Sequence, residues 1–296
     1  MEELLKINNI SMRYGSNLVL QNVNMTIHRG DIYGFVGRNG AGKTTLIRVI
    51  TGLINPCGGN YVFNLPKRLG AISGIVEAPA IKEGLSGFEN LKVQAILLGL
   101  TDYEEKIKEV LEIVGLENND KKAGNYSLGM KQRLAIACLL LGDPDLMILD
   151  EPANGLDPKG MKEMRELIIR LNQEKGITFL ISSHILSELD KMATTYGFIE
   201  GGKIMKEIDA NDLHNVGKVA YAFKVNNTSG IKNEIEQAFK VNCKILNENS
   251  FVLDDEVDPV NVCLFLRGKG LEIYSFERKK EELEDYFISL LKGENE

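Results

Sequence analysis

The chain has 296 residues, of which 44% are hydrophobic and 26% charged, the profile of a soluble globular protein of about two domains. No apolar run approaches the roughly 18 residues of a transmembrane helix, and the acidic start lacks the features of a signal peptide. The formal net charge of −7, with no basic run, argues against nucleic acid as a main partner.

The cysteines argue against both a disulfide framework and a zinc site. They are widely spaced, they form no Cys-x-x-Cys pair, and none of the three histidines lies beside one. We expect four free, buried side chains in a protein of a reducing cytoplasm, namely Cys57, Cys138, Cys243 and Cys263.

The first part of the chain reads as strands. Residues 4–11 and 19–27 alternate apolar and polar side chains, and residues 31–36 form a short strand. This strand runs into a glycine-rich segment and then a helical pattern. That order is typical of the entry to a nucleotide-binding α/β unit.

The middle of the chain predicts helices followed by a parallel sheet. Apolar residues three and four positions apart predict helix faces over residues 88–98 and 107–114. Continuous apolar strands at 146–149 and 177–181 are separated by a helical stretch at 159–173. Unbroken apolar strands joined by a helix indicate a parallel sheet that is covered on both faces.

The texture changes near residue 212. Alternating strands and short helix faces follow in the order βαββαβ, with one further helix over residues 283–291. This order predicts a small split-βαβ, ferredoxin-like α+β domain. We therefore predict one domain over residues 1–212 and an accessory domain over residues 213–296, in which no functional site stands out.

A phosphate-binding loop follows the strand at 31–36. Its eight residues fit the pattern G-x-x-x-x-G-K-[ST]: Gly37, Arg38, Asn39, Gly40, Ala41, Gly42, Lys43 and Thr44. Glycines let backbone N–H groups turn toward a phosphate, and the helix that follows adds its positive end. Lys43 supplies a charge to the β- and γ-phosphates, and the Thr44 hydroxyl suits Mg²⁺. We also assign Thr45 to ATP binding.

An acidic pair ends the apolar strand at 146–149. In open α/β sheets, ligands lie at the carboxyl ends of the strands. Asp150 is therefore placed to hold Mg²⁺, and Glu151 to polarise a water for in-line attack on the γ-phosphate.

The phosphate-binding loop, with three further segments, resembles the ATP-binding cassette (ABC) family over residues 4–210. The others are a signature-like segment at 126–133, the segment 149–157 around the acidic pair, and Ser182-Ser183-His184. The resemblance implies a P-loop ATPase with a parallel-sheet core, an antiparallel β subdomain and a helical subdomain. It also implies that two copies pack head to tail around ATP and Mg²⁺.

Further site residues follow from the resemblance alone. Ser127 and Gly129 would contact the γ-phosphate held by the second copy, although Leu128 and Met130 depart from the usual signature. His184 would contact the γ-phosphate and the attacking water. Asp157 would couple the two copies; its alternative is a turn or helix-cap aspartate. Tyr14 would stack on adenine; its alternative is a tyrosine at a plain turn.

Glu77 lies where the family usually carries a glutamine that contacts Mg²⁺. A carboxylate preserves that contact but changes the charge near the phosphates. Together with Pro79 and the segment 87–91, Glu77 is similar to the bacitracin-resistance and lantibiotic-immunity branch, whose members also carry a C-terminal extension. The alternative is a neutral variant that says nothing about cargo.

The resemblance thus implies a cytoplasmic ATPase subunit that lies on the inner face of the membrane through a separate transmembrane permease. ATP would close a homodimer and power export of an antimicrobial peptide or a similar amphipathic compound, which confers antibiotic resistance. Two alternatives stay open: a cassette protein acting on ribosomes or DNA, and the same ATPase with a lipid or ion as cargo.

Overall fold

The computed structural model describes residues 2–77, 80–216, 220–253, 257–279 and 283–293. The chain divides into two compact units, Met1–Ala210 and Asn211–Glu296, two residues before the boundary expected from the sequence. Among the described residues, no helix has the length and apolar character needed to cross a membrane.

The first unit alternates strands and helices. Its strands are β1 Glu3–Tyr14, β2 Asn17–His28, β3 Ile32–Val36, β4 Gly58–Phe63, β5 Ile72–Ile75, β6 Leu146–Asp150, β7 Thr178–Ser183, β8 Thr195–Glu200 and β9 Lys203–Asp209. Its helices are α1 Lys43–Ile50, α2 Gly87–Leu97, α3 Tyr103–Ile113, α4 Leu128–Leu140, α5 Pro158–Lys175 and α6 Leu186–Leu189. A helix α7, Ala210–Val216, follows β9.

The central sheet has the strand order β5-β6-β7-β3-β8-β9 and is parallel except for β9. Every residue of β3, β6 and β7 is buried, because these strands are covered on both faces. Asp150 pairs in register with Ser182, and Val36 with Ser183. The carboxyl ends of β3, β6 and β7 therefore meet at one edge of the sheet, which is where the candidate site lies.

An antiparallel sheet, β2-β1-β4, shares a hydrophobic core with the central sheet and α1. Ile7 of β1 and Leu20 of β2 belong to the same buried cluster as Phe35 and Leu46. This sheet brings the end of β1, with Tyr14, toward the loop that precedes α1. Strand β4, at the sheet edge, was not predicted.

The helical part of the first unit consists of α2, α3 and α4, which contact one another. Helix α2 begins with a capping box: Glu89 N donates to Ser86 Oγ (3.2 Å), and Ser86 N donates to the Glu89 carboxylate (2.6 Å). The parallel core, the antiparallel sheet and this helical part confirm the predicted fold class.

The second unit is α+β. Its elements are β10 Ala220–Val225, α8 Ile231–Phe239, β11 Cys243–Asn247, β12 Ser250–Leu253, α9 Pro259–Gly268, β13 Ile273–Lys279 and α10 Leu283–Gly293. The sheet order is β11-β12-β10-β13, with antiparallel pairs throughout. The rings of Phe223 and Phe251 stack in its core, 5.1 Å apart. This connectivity is that of a split-βαβ arrangement.

Two expectations about side chains and boundaries were wrong. All four cysteines carry thiol groups, but only Cys243 is buried and Cys57 is exposed, because Cys57 lies just before an edge strand. The sequence predicts the last strand over residues 271–276, whereas β13 extends to Lys279, because an edge strand tolerates charged side chains.

Candidate functional site

The loop over residues 37–42 joins the end of β3 to the start of α1 and requires glycine at two positions. A Cβ on Gly37 would lie 2.6 Å from the Ile199 carbonyl oxygen, and one on Gly42 would lie 2.8 Å from Leu20 Cδ2. Gly42 also has a φ of 112°, which side chains disfavour. The loop therefore lies tightly on its neighbours and leads directly into the positive end of α1.

Lys43 is buried under this loop, with 6% of its surface exposed. Its ammonium donates to the carbonyl oxygens of Gly37 (2.6 Å) and Arg38 (3.2 Å) and lies 4.0 Å from Glu151 Oε1. Burial lowers the pKa of Lys43, against the opposing effect of the Glu151 and Asp150 carboxylates. The structure thus places a cation where the loop and the acidic pair meet.

Thr44 and Asp150 form an oxygen-rich pair beside Lys43. Thr44 Oγ1 donates to Asp150 Oδ2 (2.9 Å), and the buried Ser182 hydroxyl donates to Asp150 Oδ1. Across the described residues, no three His, Cys, Asp or Glu side chains cluster to hold a metal. Mg²⁺ commonly takes one or two protein oxygens and completes its shell with phosphates and waters, so Thr44 and Asp150 fit this ion.

Glu151 and His184 form a second polar pair next to Lys43. His184 Nδ1 lies 2.6 Å from Glu151 Oε2, and the His184 backbone N–H donates to the same oxygen (3.3 Å). Glu151 has a φ of 53°, a left-handed conformation that a non-glycine residue rarely adopts. Its N–H donates to Ser182 Oγ (3.0 Å), which helps to hold this turn. The pair can orient and polarise a water.

One cleft of about 420 Å³ gathers most of the predicted site. It is lined by Tyr14, Val19, Arg38, Asn39, Gly40, Gly42, Lys43, Thr44, Thr45, Glu151, Asn154 and His184. Gly37 and Ala41 belong to the loop beneath it, and Asp150 touches it through Thr44. Val19 and Asn154 are lining residues that had not been assigned to the site.

The signature residues lie apart from this cleft. Ser127 caps α4, since its hydroxyl accepts from Met130 N (3.2 Å). A Cβ on Gly129 would lie 3.8 Å from Leu156, so the start of α4 is next to the turn before α5. Asp157 caps α5 by accepting from Gly160 N (3.0 Å). The structure thus gives Asp157 the local cap role named as its alternative, and a role between copies stays a prediction.

Glu77 forms an ion pair with Arg48 of α1. Interaction with the Tyr14 side chain, followed by the charge of Glu77, raises the pKa of Arg48. Ala78 and Pro79 lie outside the described residues. The Mg²⁺ contact of Glu77 stays a prediction.

Sequence reasoning missed Arg48 and the role of Ser182. Arg48 follows Thr44 by four residues, one helical turn, and this spacing could have indicated that Arg48 shares a helix face with Thr44. Ser182 lay within a quoted motif, but its partner on the neighbouring strand depends on the pairing of β6 with β7.

Known proteins resemble the chain over these same elements. It matches the family described as ABC transporter over residues 20–154. It is 40% identical to the bacitracin transport ATP-binding protein BcrA of Bacillus licheniformis, over 99% of both chains. It is 44% identical to the lantibiotic transport ATP-binding protein SrtF of Streptococcus pyogenes, over 72% of this chain and 94% of the relative.

Solved structures give the same likeness. An ATP-binding subunit of an ABC transporter superposes with a TM-score of 0.63 and 30% identity, over 72% of this chain and 92% of the other. A nucleotide-free ATP-binding cassette from an ABC transporter superposes with a TM-score of 0.64 and 26% identity, over 70% and 91%.

Proposed function

The chain belongs to the ABC transporter family as an ATP-hydrolysing subunit, and we propose that it powers a separate transmembrane permease that exports an antimicrobial peptide. The family and the bacitracin and lantibiotic branch expected from the motifs are thereby confirmed. The observation that carries the proposal is the convergence of Lys43, Thr44, Glu151 and His184 on one cleft.

In the proposed reaction, the residues in and beside the cleft have separate roles. The loop and Lys43 bind the β- and γ-phosphates, and Tyr14 stacks on adenine. Thr44 and Asp150 hold Mg²⁺, which neutralises charge on the phosphates when bound. Glu151 accepts a proton from the attacking water, and His184 orients that water and the γ-phosphate.

A second copy of the chain completes the site. Ser127 and Gly129 lie outside their own cleft, at the positive end of α4. A hydroxyl and a glycine at such a helix start suit the γ-phosphate of a neighbouring copy. ATP would therefore close a homodimer, with Asp157 at its interface, and hydrolysis would reopen it.

The permease would bind the helical part of the chain. Helix α2 exposes apolar side chains on its outer face: Val93 is 39% exposed, Ile96 57% and Leu97 71%. Exposed apolar side chains on one helix favour a protein partner. A chain docked there lies on the cytoplasmic face of the membrane, and closure of the dimer would pull on the permease.

The cargo proposal comes from the relatives. BcrA and SrtF are named as transport proteins for bacitracin and a lantibiotic. These names favour transport over action on ribosomes or DNA, and a peptide over a lipid or an ion.

The test uses Glu151→Gln, which keeps the shape of the side chain but removes its basicity. We expect ATP binding to persist, turnover to fall by about 100-fold or more, and an ATP-dependent dimer to accumulate. Light scattering and phosphate release measure these effects, and the exposed Glu105→Gln is the matched control. Unchanged turnover would refute the assignment of Glu151.

The cargo is tested in cells that express the chain with its permease. Protection against bacitracin or a lantibiotic should appear with the wild-type chain and disappear with Glu151→Gln. Protection that persists with Glu151→Gln, or that never appears, would contradict the peptide proposal while leaving the ATPase assignment intact.

A further inference from the structure

Three side chains from separate segments meet beside the cleft. Arg48 of α1 forms an ion pair with Glu77, which follows β5, and its pKa is raised by interaction with Tyr14, at the end of β1. Arg48 thus connects the residue expected on adenine with the residue expected on Mg²⁺. None of the sequence motifs includes it.

The position of Arg48 along α1 decides where it holds Glu77. Thr44 and Arg48 are four residues apart, so they lie on one face of α1, one turn from each other. Thr44 binds Asp150, at the end of β6. A carboxylate bound to Arg48 is therefore paired with a cation that belongs to the same face of α1 as the Thr44 hydroxyl.

Without the ion pair to Arg48, Glu77 would add a third, unpaired carboxylate to this edge of the sheet. Ile75 of β5 pairs with Leu149 of β6, so Glu77 and Glu151 each follow this last pair by two residues at the same end of the sheet. Asp150 and Glu151 already place two carboxylates there, beside Lys43. A third, unpaired carboxylate would repel the phosphates of a nucleotide and attract Mg²⁺.

The backbone conformation of Glu77 also needs support from neighbouring side chains. Its φ of 67° is left-handed, a conformation that costs a non-glycine residue free energy unless its surroundings hold it. The ion pair to Arg48 is a side-chain contact that supplies such a hold.

We propose that Arg48 is a positioning residue that holds the Glu77 carboxylate in an ion pair and offsets its charge at the sheet edge where Asp150 and Glu151 lie. Arg48 thereby sets how strongly nucleotide binding depends on Mg²⁺. This role exists because position 77 carries a glutamate, whose charge needs a partner. The inference rests on the proposed function of the cleft as the ATP site.

The test is a double-mutant cycle on the full-length chain, with Arg48→Met, Glu77→Gln and the two combined. A fluorescent ATP analogue is titrated in EDTA, and the Mg²⁺ concentration for half-maximal binding is then measured. In Arg48→Met the freed carboxylate should weaken binding in EDTA by about three- to tenfold and lower the half-maximal Mg²⁺ concentration by a similar factor. Arg48→Lys should restore both values in part.

Making Arg48→Met in the Glu77→Gln protein separates the positioning of Glu77 from the general loss of a positive charge. In the Glu77→Gln protein, loss of the Arg48 cation should still weaken nucleotide binding. The half-maximal Mg²⁺ concentration, however, should not change. Arg29→Met, which breaks ion pairs with Glu2 and Asp145, is the matched control and should leave the Mg²⁺ dependence unchanged.

Two outcomes would overturn the inference: an unchanged Mg²⁺ dependence in Arg48→Met, or an equal shift with and without Glu77. Either would reduce Arg48–Glu77 to an exposed ion pair of small effect. Failure of the wild-type chain to bind the analogue would instead count against the proposed function.

Discussion

Ser182 shows how one hydroxyl can organise both acidic residues of the site. It donates to Asp150 and accepts from the backbone N–H of Glu151, and it is fully buried. Because a buried hydroxyl of this kind has few alternative partners, it fixes the orientation of the Asp150 carboxylate and the turn at Glu151 together.

Ser182→Ala tests this arrangement at the scale of a residue. It leaves a buried carboxylate oxygen of Asp150 without its partner, so the free energy of unfolding should fall by about 1–3 kcal/mol. ATP turnover should fall as well, because Asp150 and Glu151 lose their orientation. Denaturant unfolding and phosphate release measure the two effects.

The matched control is Ser73→Ala on β5, whose hydroxyl donates to the Gly70 carbonyl (3.2 Å). If Ser182→Ala left both stability and turnover at the level of this control, Ser182 would have no organising role.

At the scale of helices and strands, some elements are specified by local sequence signals and others by tertiary contacts. The helix start at Ser86 is a capping box that can be read directly from Ser86 and Glu89. Strand β4 escaped prediction because its two glycines weaken a strand pattern. It forms because it pairs with β1, a partner about 50 residues earlier.

Asp157 tests whether one residue serves both a helix and an interface. Asp157→Ala removes the cap of α5 and should lower the stability of the first unit by about 1 kcal/mol. Asp157→Ser keeps a capping oxygen and should restore stability. If Asp157 also acts between copies, Asp157→Ser should still weaken the ATP-dependent dimer of the Glu151→Gln protein.

Asp258, which caps α9 in the second unit by accepting from Val260 N, provides the matched control. Asp258→Ala should lose its cap without any effect on the dimer. A dimer of normal strength in Asp157→Ser would restrict Asp157 to its role as a helix cap.

For the whole molecule, the candidate site lies within one unit. Every residue that lines the cleft precedes residue 185, and SrtF matches 72% of this chain over 94% of its own length. BcrA, in contrast, matches 99% of the chain. We therefore expect ATP hydrolysis to be separable from the second unit of this chain.

Truncation after Val216 tests that separation. The shortened chain should bind ATP within about twofold of the full chain, because a unit with its own core folds by itself. Equilibrium binding of the fluorescent analogue measures this, with circular dichroism as the check that the unit is folded. A folded but non-binding first unit would contradict the prediction.

The sequence by itself determined the chemistry of the phosphate loop, the acidic pair and the family, because these depend on residue types at short spacings. It also indicated the parallel core, since continuous apolar strands separated by a helix have few other folds. Only the tertiary structure decided that Ser182 binds Asp150, that Arg48 holds Glu77, and that β4 is a strand. Those contacts join residues 29 or more positions apart, and their formation depends on strand register and helix placement rather than on local pattern.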